Sequence, residues 1–305
     1  MNKIEKILQY ISKNNLADVT KNVNMSKHTT YKTGGHCAAL VEPFSILTFQ
    51  IVMDILKEDC IKFFMIGNGS NVILPDDDSE VIIIKLTKLC NYYVTDEYVY
   101  SEAGILIPKL SLELAYRGIS VFEFASGIPG TLGGCIYMNA GAYGKEISDY
   151  VISALVYDCN ESILKEITTT EMMFSYRSSI FHHENMIVIA AKFKYERKEK
   201  DDIITLINNR RKRRVETQPI GKPSAGSVFR NFDDISVWKL VDECGLRGKC
   251  IGDACVSEMH SNTIINIGNA KSKDILQLIE SVKTQVLKKT NRVLIIEQKI
   301  IEWDD

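Results

Sequence analysis

Between Gly127 and Gly144 the chain reads GIPGTLGGCIYMNAGAYG, and six of its 18 glycines fall in these eighteen residues. Glycine enters left-handed backbone conformations without steric cost and lets a ligand come close to the main chain. Successive backbone N–H groups in such turns form concavities that bind anions without a basic side chain. Pro129 stiffens the entry turn, and the glycine-free CIYMNA in the middle can pack against the fold. Two readings follow: a loop wrapped around a diphosphate or another flat, polar cofactor, or a set of tight turns between strands. The spacing is not the dinucleotide fingerprint, since the glycines run G-x-x-G-x-x-G-G with no clean βαβ unit around them. A second cluster, Gly67-Asn68-Gly69-Ser70-Asn71, directly follows a short strand expected over Lys62–Ile66. Asn-Gly favours a two-residue hairpin. What comes next is VILPDDD and then VIIIKL, which suits a ligand loop better.

Length and charge narrow the classes. A chain of 305 residues, 45% hydrophobic and 25% charged, is globular and long enough for two or three packed units. A net charge of −2 gives no global reason to expect nucleic acid or an anionic membrane as partner. No apolar run reaches the ~18 residues that span a bilayer, and MNKIEKILQYISK has no uninterrupted signal-peptide core. The eight cysteines form no C-x-x-C and no Cys/His set, so reduced thiols in a cytoplasmic protein are expected, with no metal site.

In chain order, Ile4, Ile7, Leu8 and Ile11 make one stripe of a helix over 3–13. HTTYKTGG at 28–35 reads as a polar entry strand, and Ile46–Asp59 as an amphipathic helix through Leu47, Ile51 and Ile55. Residues 92–103 alternate as a strand pair. Pro108–Arg117 has proline in its first turn and Gly118 at its end, the punctuation of a helix. Strands follow near 150–158, 162–170 and 186–195. His182-His183 invites a metal reading, but no further ligand lies at suitable spacing, and surface histidines are the better expectation. The composition turns charged at 196–202, which places a boundary between 197 and 198. A helix over 203–215 ends in Arg210-Arg211-Lys212-Arg213-Arg214. Cations are favoured at a helix C-terminus, so a solvated helix end or a phosphate contact outweighs a nucleic-acid patch. Helices are expected at 236–244 and 271–289, and a last strand over 292–303 holds Glu297 among isoleucines.

Taken together, HTTYKTGG, GNGSN, GIPGTLGGCIYMNAGAYG, SYRSSIF, PSAGSVFRN, SEMHSN and the glutamate-bearing last strand closely resemble, in order, the signature set of the UDP-N-acetylenolpyruvoylglucosamine reductase family. The resemblance runs from about residue 25 to the end. Any one motif is weak, whereas seven in order at compatible spacings are very specific. It implies an α+β chain: a two-lobed FAD-binding region of vanillyl-alcohol-oxidase type over 1–197, with lobes near 1–88 and 89–197. A smaller α+β substrate-binding domain over 198–305 follows, its last strand returning to the active site. FAD, held without a covalent bond, then lies against Gly67, Asn68, Gly69, Ser70 and Asn71, and against Gly127, Gly130, Thr131, Gly133, Gly134, Ala140 and Gly141. Phe232, Met259, Thr263 and Glu302 depart from the family's usual residues. Between Arg177 and Ser227 there is room for one strand and one helix only, which resembles the shorter form lacking a tyrosine-bearing loop.

The implied reaction is NADPH-dependent reduction of the enolpyruvyl group of a UDP-sugar, a step of peptidoglycan precursor synthesis. Hydride addition at C3 leaves an enolate-like charge that must be stabilised where it develops. By the resemblance, Arg177, with its planar cationic fork, and Glu297 stabilise that charge, and Ser227 protonates C2. Glu297 helps only as a neutral donor, and Ile295, Ile296 and Ile300 around it push its pKa upward. Tyr176 and Asn231 are the implied substrate contacts, with Asn231 orienting the Ser227 hydroxyl. A sugar or alcohol oxidase on the same flavin scaffold is the rival enzyme. Several of those attach flavin through His or Cys in the glycine-rich region; Cys135 lies there, but no histidine does. A nucleic-acid module using 210–214 is the rival outside enzymes, and it leaves the glycine loops without a role.

Overall fold

The computed structural model describes residues 2–303, and its Cα packing divides the chain into two compact units. The first comprises 1–21, 38–68 and 81–212; the second comprises 22–37, 69–80 and 213–305. No helix among the described residues is long and apolar enough to cross a membrane.

The first unit holds two sheets and most of the helices. Helix α1 (Lys3–Lys13) starts with a reciprocal cap: the Glu5 N–H donates to Asn2 Oδ1 at 2.8 Å and the Asn2 N–H to Glu5 Oε2 at 2.9 Å. Its buried stripe is Ile7, Leu8 and Ile11. Helix α2 (Ile46–Glu58) is capped the same way by Ser45 and Thr48. The face it buries is Phe49, Val52, Met53 and Leu56, whereas Leu47, expected inside, is 67% exposed. The helix contains apolar residues on nearly every side, so periodicity alone did not single out the inner face.

One sheet has the strand order Ala17–Asn24, His36–Pro43, Ser79–Ile84, Phe63–Met65, its last pair parallel. The other is antiparallel, in the order Ile163–Thr168, Val151–Asp158, Met186–Phe193, Val99–Glu102, Tyr92–Val94. Both contribute to a single core that also takes α1, α2, α3 (Ile107–Ala115) and α4 (Leu132–Tyr137). A fifth helix, α5 (Lys200–Thr217), buries only Ile203 and Ile207.

The second unit has its own core. Helix α6 (Val237–Glu243) and helix α7 (Ser272–Thr290) contribute most of it, α7 through Ile275, Leu278, Ile279, Val282 and Val286. A three-stranded sheet runs Cys250–Ile251, Ala254–Val256, Ile264–Asn266. Tyr31 and Ile73, distant in sequence, complete the core.

Three expectations change here. Residues 28–35 are not a strand but a compact turn, with Lys32 in the left-handed region at φ 61° and Thr29 Oγ1 donating to Thr33 O at 2.8 Å. Threonine side chains that bond nearby backbone groups compete with sheet pairing. The last segment forms a ladder only at Lys299–Ile300, parallel to Val72–Ile73. Cys250 and Cys255 are joined by a disulfide, against the expectation of eight free thiols; the other six are free. The pair stands in register across a hairpin that turns at Gly252-Asp253, with Cα atoms 4.1 Å apart. A separation of five residues escapes a search for C-x-x-C.

Candidate active site

The two glycine clusters meet within the first unit. Asn68 Nδ2 donates to Pro129 O at 2.7 Å, and a Cβ on Gly67 would stand 2.5 Å from Thr131 Oγ1. Glycine at 67 is therefore required by close approach. Gly69 is in the left-handed region (φ 66°), and a Cβ there would meet the His28 carbonyl. Gly69 belongs to the second unit, where its own carbonyl accepts from the Thr30 N–H at 3.0 Å and the Thr30 hydroxyl at 3.2 Å.

None of the backbone N–H groups of Gly67, Asn68, Gly69, Ser70 and Asn71 donates a hydrogen bond to another described residue. Backbone donors away from bulk water are almost always paired. Five consecutive donors without an acceptor in a buried to half-buried loop suit a polyanionic ligand such as the diphosphate of FAD. Along the second cluster, Thr131 caps α4, and the Gly133 N–H donates to Ala103 O at 2.9 Å, where a Cβ on Gly133 would stand 3.0 Å from the Ala103 Cβ. Gly134 follows it in α4, while Gly127 and Gly130 lie in the turn that leads into the helix. Ala140 is buried, and a Cβ on Gly141 would stand 2.7 Å from Lys145 O. The middle of this stretch is thus a packed helix, and its glycines serve tight packing more than left-handed turns.

Arg177 is fixed within the first unit. Its Nη2 donates to Gly141 O at 3.0 Å, its Nη1 lies 3.5 Å from Glu146 Oε1, and it sits 4.8 Å above the Tyr176 ring. Its backbone is left-handed at φ 55°, at the tip of a turn bridged between Ser175 and Ser178. A non-glycine residue there costs energy that surrounding contacts must offset. The strain aims a charged fork whose side chain is only 18% exposed. Asn139 donates to both Glu146 Oε2 (2.8 Å) and Ser175 O (3.0 Å) and so ties the Arg177 turn to the glycine-rich stretch. Sequence reasoning passed over Glu146 and Asn139; the only signal was an Asn-Ala-Gly step inside the conspicuous loop.

Ser227, Glu297 and Asn71 are brought together in the second unit. The Glu297 N–H donates to Val228 O at 2.8 Å, and Asn71 Nδ2 donates to Glu297 O at 3.3 Å. Ser227 pairs with Thr263 in an isolated bridge and is half-buried. Asn231 Oδ1 accepts from the Val237 N–H at 2.9 Å at the start of α6. A helix end needs such an acceptor for its unpaired amides. Of the isoleucines beside Glu297, Ile295 is 57% exposed, and only Ile296 and Ile300 pack against the core.

Two further candidates resolve plainly. His182 stacks on Tyr137 at 4.2 Å and its Nε2 lies 3.0 Å from Tyr137 O, while His183 is exposed. Arg210, the first of the basic run, stacks 4.7 Å over Tyr143. Arg211, Lys212 and Arg213 are exposed.

Residues 37–166 match the family described as FAD binding domain. A solved glucooligosaccharide oxidase from Acremonium strictum, whose own FAD is cysteinyl- and histidyl-linked, shares the fold at TM-score 0.51 and 12% identity. That match covers 99% of this chain and 62% of the oxidase. Fold and loops together define an FAD-dependent oxidoreductase with the α+β fold of the vanillyl-alcohol-oxidase type.

Residues 218–301 match the C-terminal domain of UDP-N-acetylenolpyruvoylglucosamine reductase. The reductase of Carboxydothermus hydrogenoformans is 38% identical over 298 residues, 97% of this chain and 98% of that protein. The crystal structure of the Thermus caldophilus enzyme superimposes with TM-score 0.79 at 27% identity, covering 94% of this chain and 99% of the other. The chain belongs to the UDP-N-acetylenolpyruvoylglucosamine reductase family.

Proposed function

We propose that the chain reduces UDP-N-acetylglucosamine enolpyruvate to UDP-N-acetylmuramate for peptidoglycan precursor synthesis, with NADPH as reductant. The observation that carries this reading is one run of contacts in the second unit. The loop whose N–H groups are unpaired reaches the Glu297 segment through Asn71, and that segment reaches the Ser227 turn through Val228. Gly67–Asn71, Gly127, Gly130, Thr131, Gly133, Gly134, Ala140 and Gly141 would hold FAD, with residues 1–197 carrying the cofactor and 198–305 the sugar nucleotide. When bound there, FAD would supply the hydride-transfer chemistry that links NADPH oxidation to reduction of the enolpyruvyl group. Attachment is noncovalent: the glycine-rich stretch has no histidine, and burial pushes the Cys135 thiol up to about 12, so it stays protonated and unreactive.

As C3 of the enolpyruvyl group gains hydride, negative charge develops on C2 and the adjoining carboxylate. Arg177 meets that charge with fixed N–H donors, and Glu297, protonated, donates a hydrogen bond to it. The Ser227 hydroxyl gives its proton to C2 and is reprotonated from solvent. Tyr176 and Asn231 contact the sugar nucleotide. The partners in this reading are small molecules, with no part for nucleic acid.

The test is anaerobic stopped-flow absorption with Ser227→Ala. Flavin bleaching by NADPH is expected at the unmodified rate, because it needs no proton at C2. Recolouring by the enolpyruvyl sugar should slow by about 10²–10⁴-fold, the usual worth of general acid catalysis. Equal slowing of both phases would make Ser227 a turn residue, and no slowing would pass the proton to another donor.

A further inference from the structure

Gln298 follows Glu297 on the same extended segment, is only 4% exposed, and faces away from bulk solvent. Its Nε2 donates to Ala225 O at 3.1 Å and to Gly226 O at 3.4 Å, and its Oε1 accepts from the Tyr31 hydroxyl at 3.0 Å. The orientation of the amide is fixed by chemistry: two carbonyl oxygens can only accept, so the NH₂ must face them. Tyr31 is fully buried, and burial pushes its phenol well above the ordinary range, so it is a dependable donor. Its own turn is tied down in turn, with Asn266 Nδ2 donating to Tyr31 O at 3.0 Å and the Ser224 N–H to Thr30 O at 3.1 Å.

The object of this clamp is the peptide just before Ser227. Gly226 is left-handed at φ 73°, and a Cβ there would meet nothing within 4 Å. Ala225 and Val228 on either side are packed in the core, but at Gly226 itself nothing packs, and its carbonyl is held by the hydrogen bond. Fixing the Gly226 carbonyl fixes the plane of the peptide that runs to the Ser227 Cα, and the bridge to Thr263 limits the remaining rotation about N–Cα that sets the Cα–Cβ direction. The Ser227 hydroxyl has no hydrogen-bond partner among the described residues, so nothing but its backbone aims it. Burying a primary amide is costly unless its groups are paired, and here each of its ends is.

We infer that Gln298, held by Tyr31, is a positioning residue that sets the Ser227 hydroxyl for proton delivery to the substrate. The inference rests on the reading of Ser227 as proton donor. Misplacing a reacting group by about 1 Å can cost on the order of 10²-fold in rate.

Gln298→Leu alone strands the Tyr31 hydroxyl in the core, where an unpaired donor is destabilising. The paired replacement Tyr31→Phe/Gln298→Leu removes both polar partners together and is the variant expected to keep the fold, with Tyr31→Phe alone as the milder companion. In stopped flow, flavin bleaching by NADPH should stay within about twofold, while recolouring by the enolpyruvyl sugar slows by about 10–10²-fold. Placed on a Ser227→Ala background, the same replacement should slow recolouring no further, because residues acting as one unit are not additive. Equal slowing of both phases, or no slowing of recolouring, overturns the inference. So does a full additional slowing on the Ser227→Ala background, since Gln298 would then act on something else. If Ser227→Ala by itself leaves recolouring untouched, the proton-donor reading fails first and takes this one with it. If Ser227→Ala slows recolouring and the paired replacement does not, only the positioning role is lost.

Discussion

At Glu297 the main chain is engaged at both ends, its N–H with Val228 O and its carbonyl with Asn71 Nδ2, which fixes where the side chain leaves the backbone. Its apolar screen is narrower than Ile295, Ile296 and Ile300 suggest, since Ile295 points to solvent. A neutral donor can be partly replaced by an amide, which keeps an N–H, whereas alanine leaves only a gap. Glu297→Ala should lower kcat by about 10²–10³-fold, the range for loss of one donor to a developing oxyanion, and Glu297→Gln should lose distinctly less. Steady-state kinetics decides it: equal losses would mean that the carboxyl transfers a proton instead of donating a hydrogen bond. At this scale the motifs made Arg177, Ser227 and Glu297 legible, but not what aims them. The left-handed backbone of Arg177 and the Gln298 clamp depend on partners up to 267 residues away in sequence. A glutamine between Glu297 and Lys299 reads as the polar face of an edge strand. Only Tyr31, a large aromatic in a run of threonines, hinted that something buried would meet it.

Elements with a strong period were the legible ones, because their own apolar stripe decides which face is buried. Helix α7 is the clearest, its apolar stripe of Ile275, Leu278, Ile279, Val282 and Val286 lying in the second core. Its start is another matter. Asp76, in the loop after Val72–Ile73, accepts from the Ser272 N–H at 2.8 Å and the Lys273 N–H at 3.0 Å. An acid at a helix N-terminus satisfies unpaired amides and meets the positive end of the dipole. Nothing in a local reading of 271–275 finds a cap supplied from almost two hundred residues upstream. Asp76→Ala should cost about 1 kcal/mol, seen as a lower urea midpoint with an unchanged slope. An unaltered midpoint would mean that water or Asp274 satisfies the helix end equally well. The turn at 28–35 and the two-residue ladder at Lys299–Ile300 escaped the sequence for the same reason: their geometry is fixed by tertiary partners, not by alternation.

For the whole chain, the roles proposed for 1–197 and 198–305 are contiguous in sequence, whereas the packing of the second unit is not. That unit draws 22–37 and 69–80 from the N-terminal part of the chain. What those segments supply can be named. Tyr31 and Ile73 are 0% and 1% exposed in the second core, Val72–Ile73 is the partner of Lys299–Ile300, and Asp76 caps α7. A fragment of 198–305 would therefore begin with two large side chains missing from its interior. Emptying a single large aliphatic or aromatic position typically costs about 2–5 kcal/mol, and a domain of this size has only about 5–15 kcal/mol in hand. Losing both, together with the ladder and the cap, should leave the fragment without a cooperative transition. Urea melts followed by near-ultraviolet circular dichroism, set beside the full chain, measure this directly. A sharp two-state transition in the fragment would show that α6, α7 and the three-stranded sheet suffice, and that the upstream segments dock on a domain already formed. Adding a peptide of 22–37 to an unfolded fragment should restore little, because Val72, Ile73 and Asp76 would still be absent. Supplying 22–80 in trans brings back all three segment contacts and is the mixture in which near-ultraviolet signal should return.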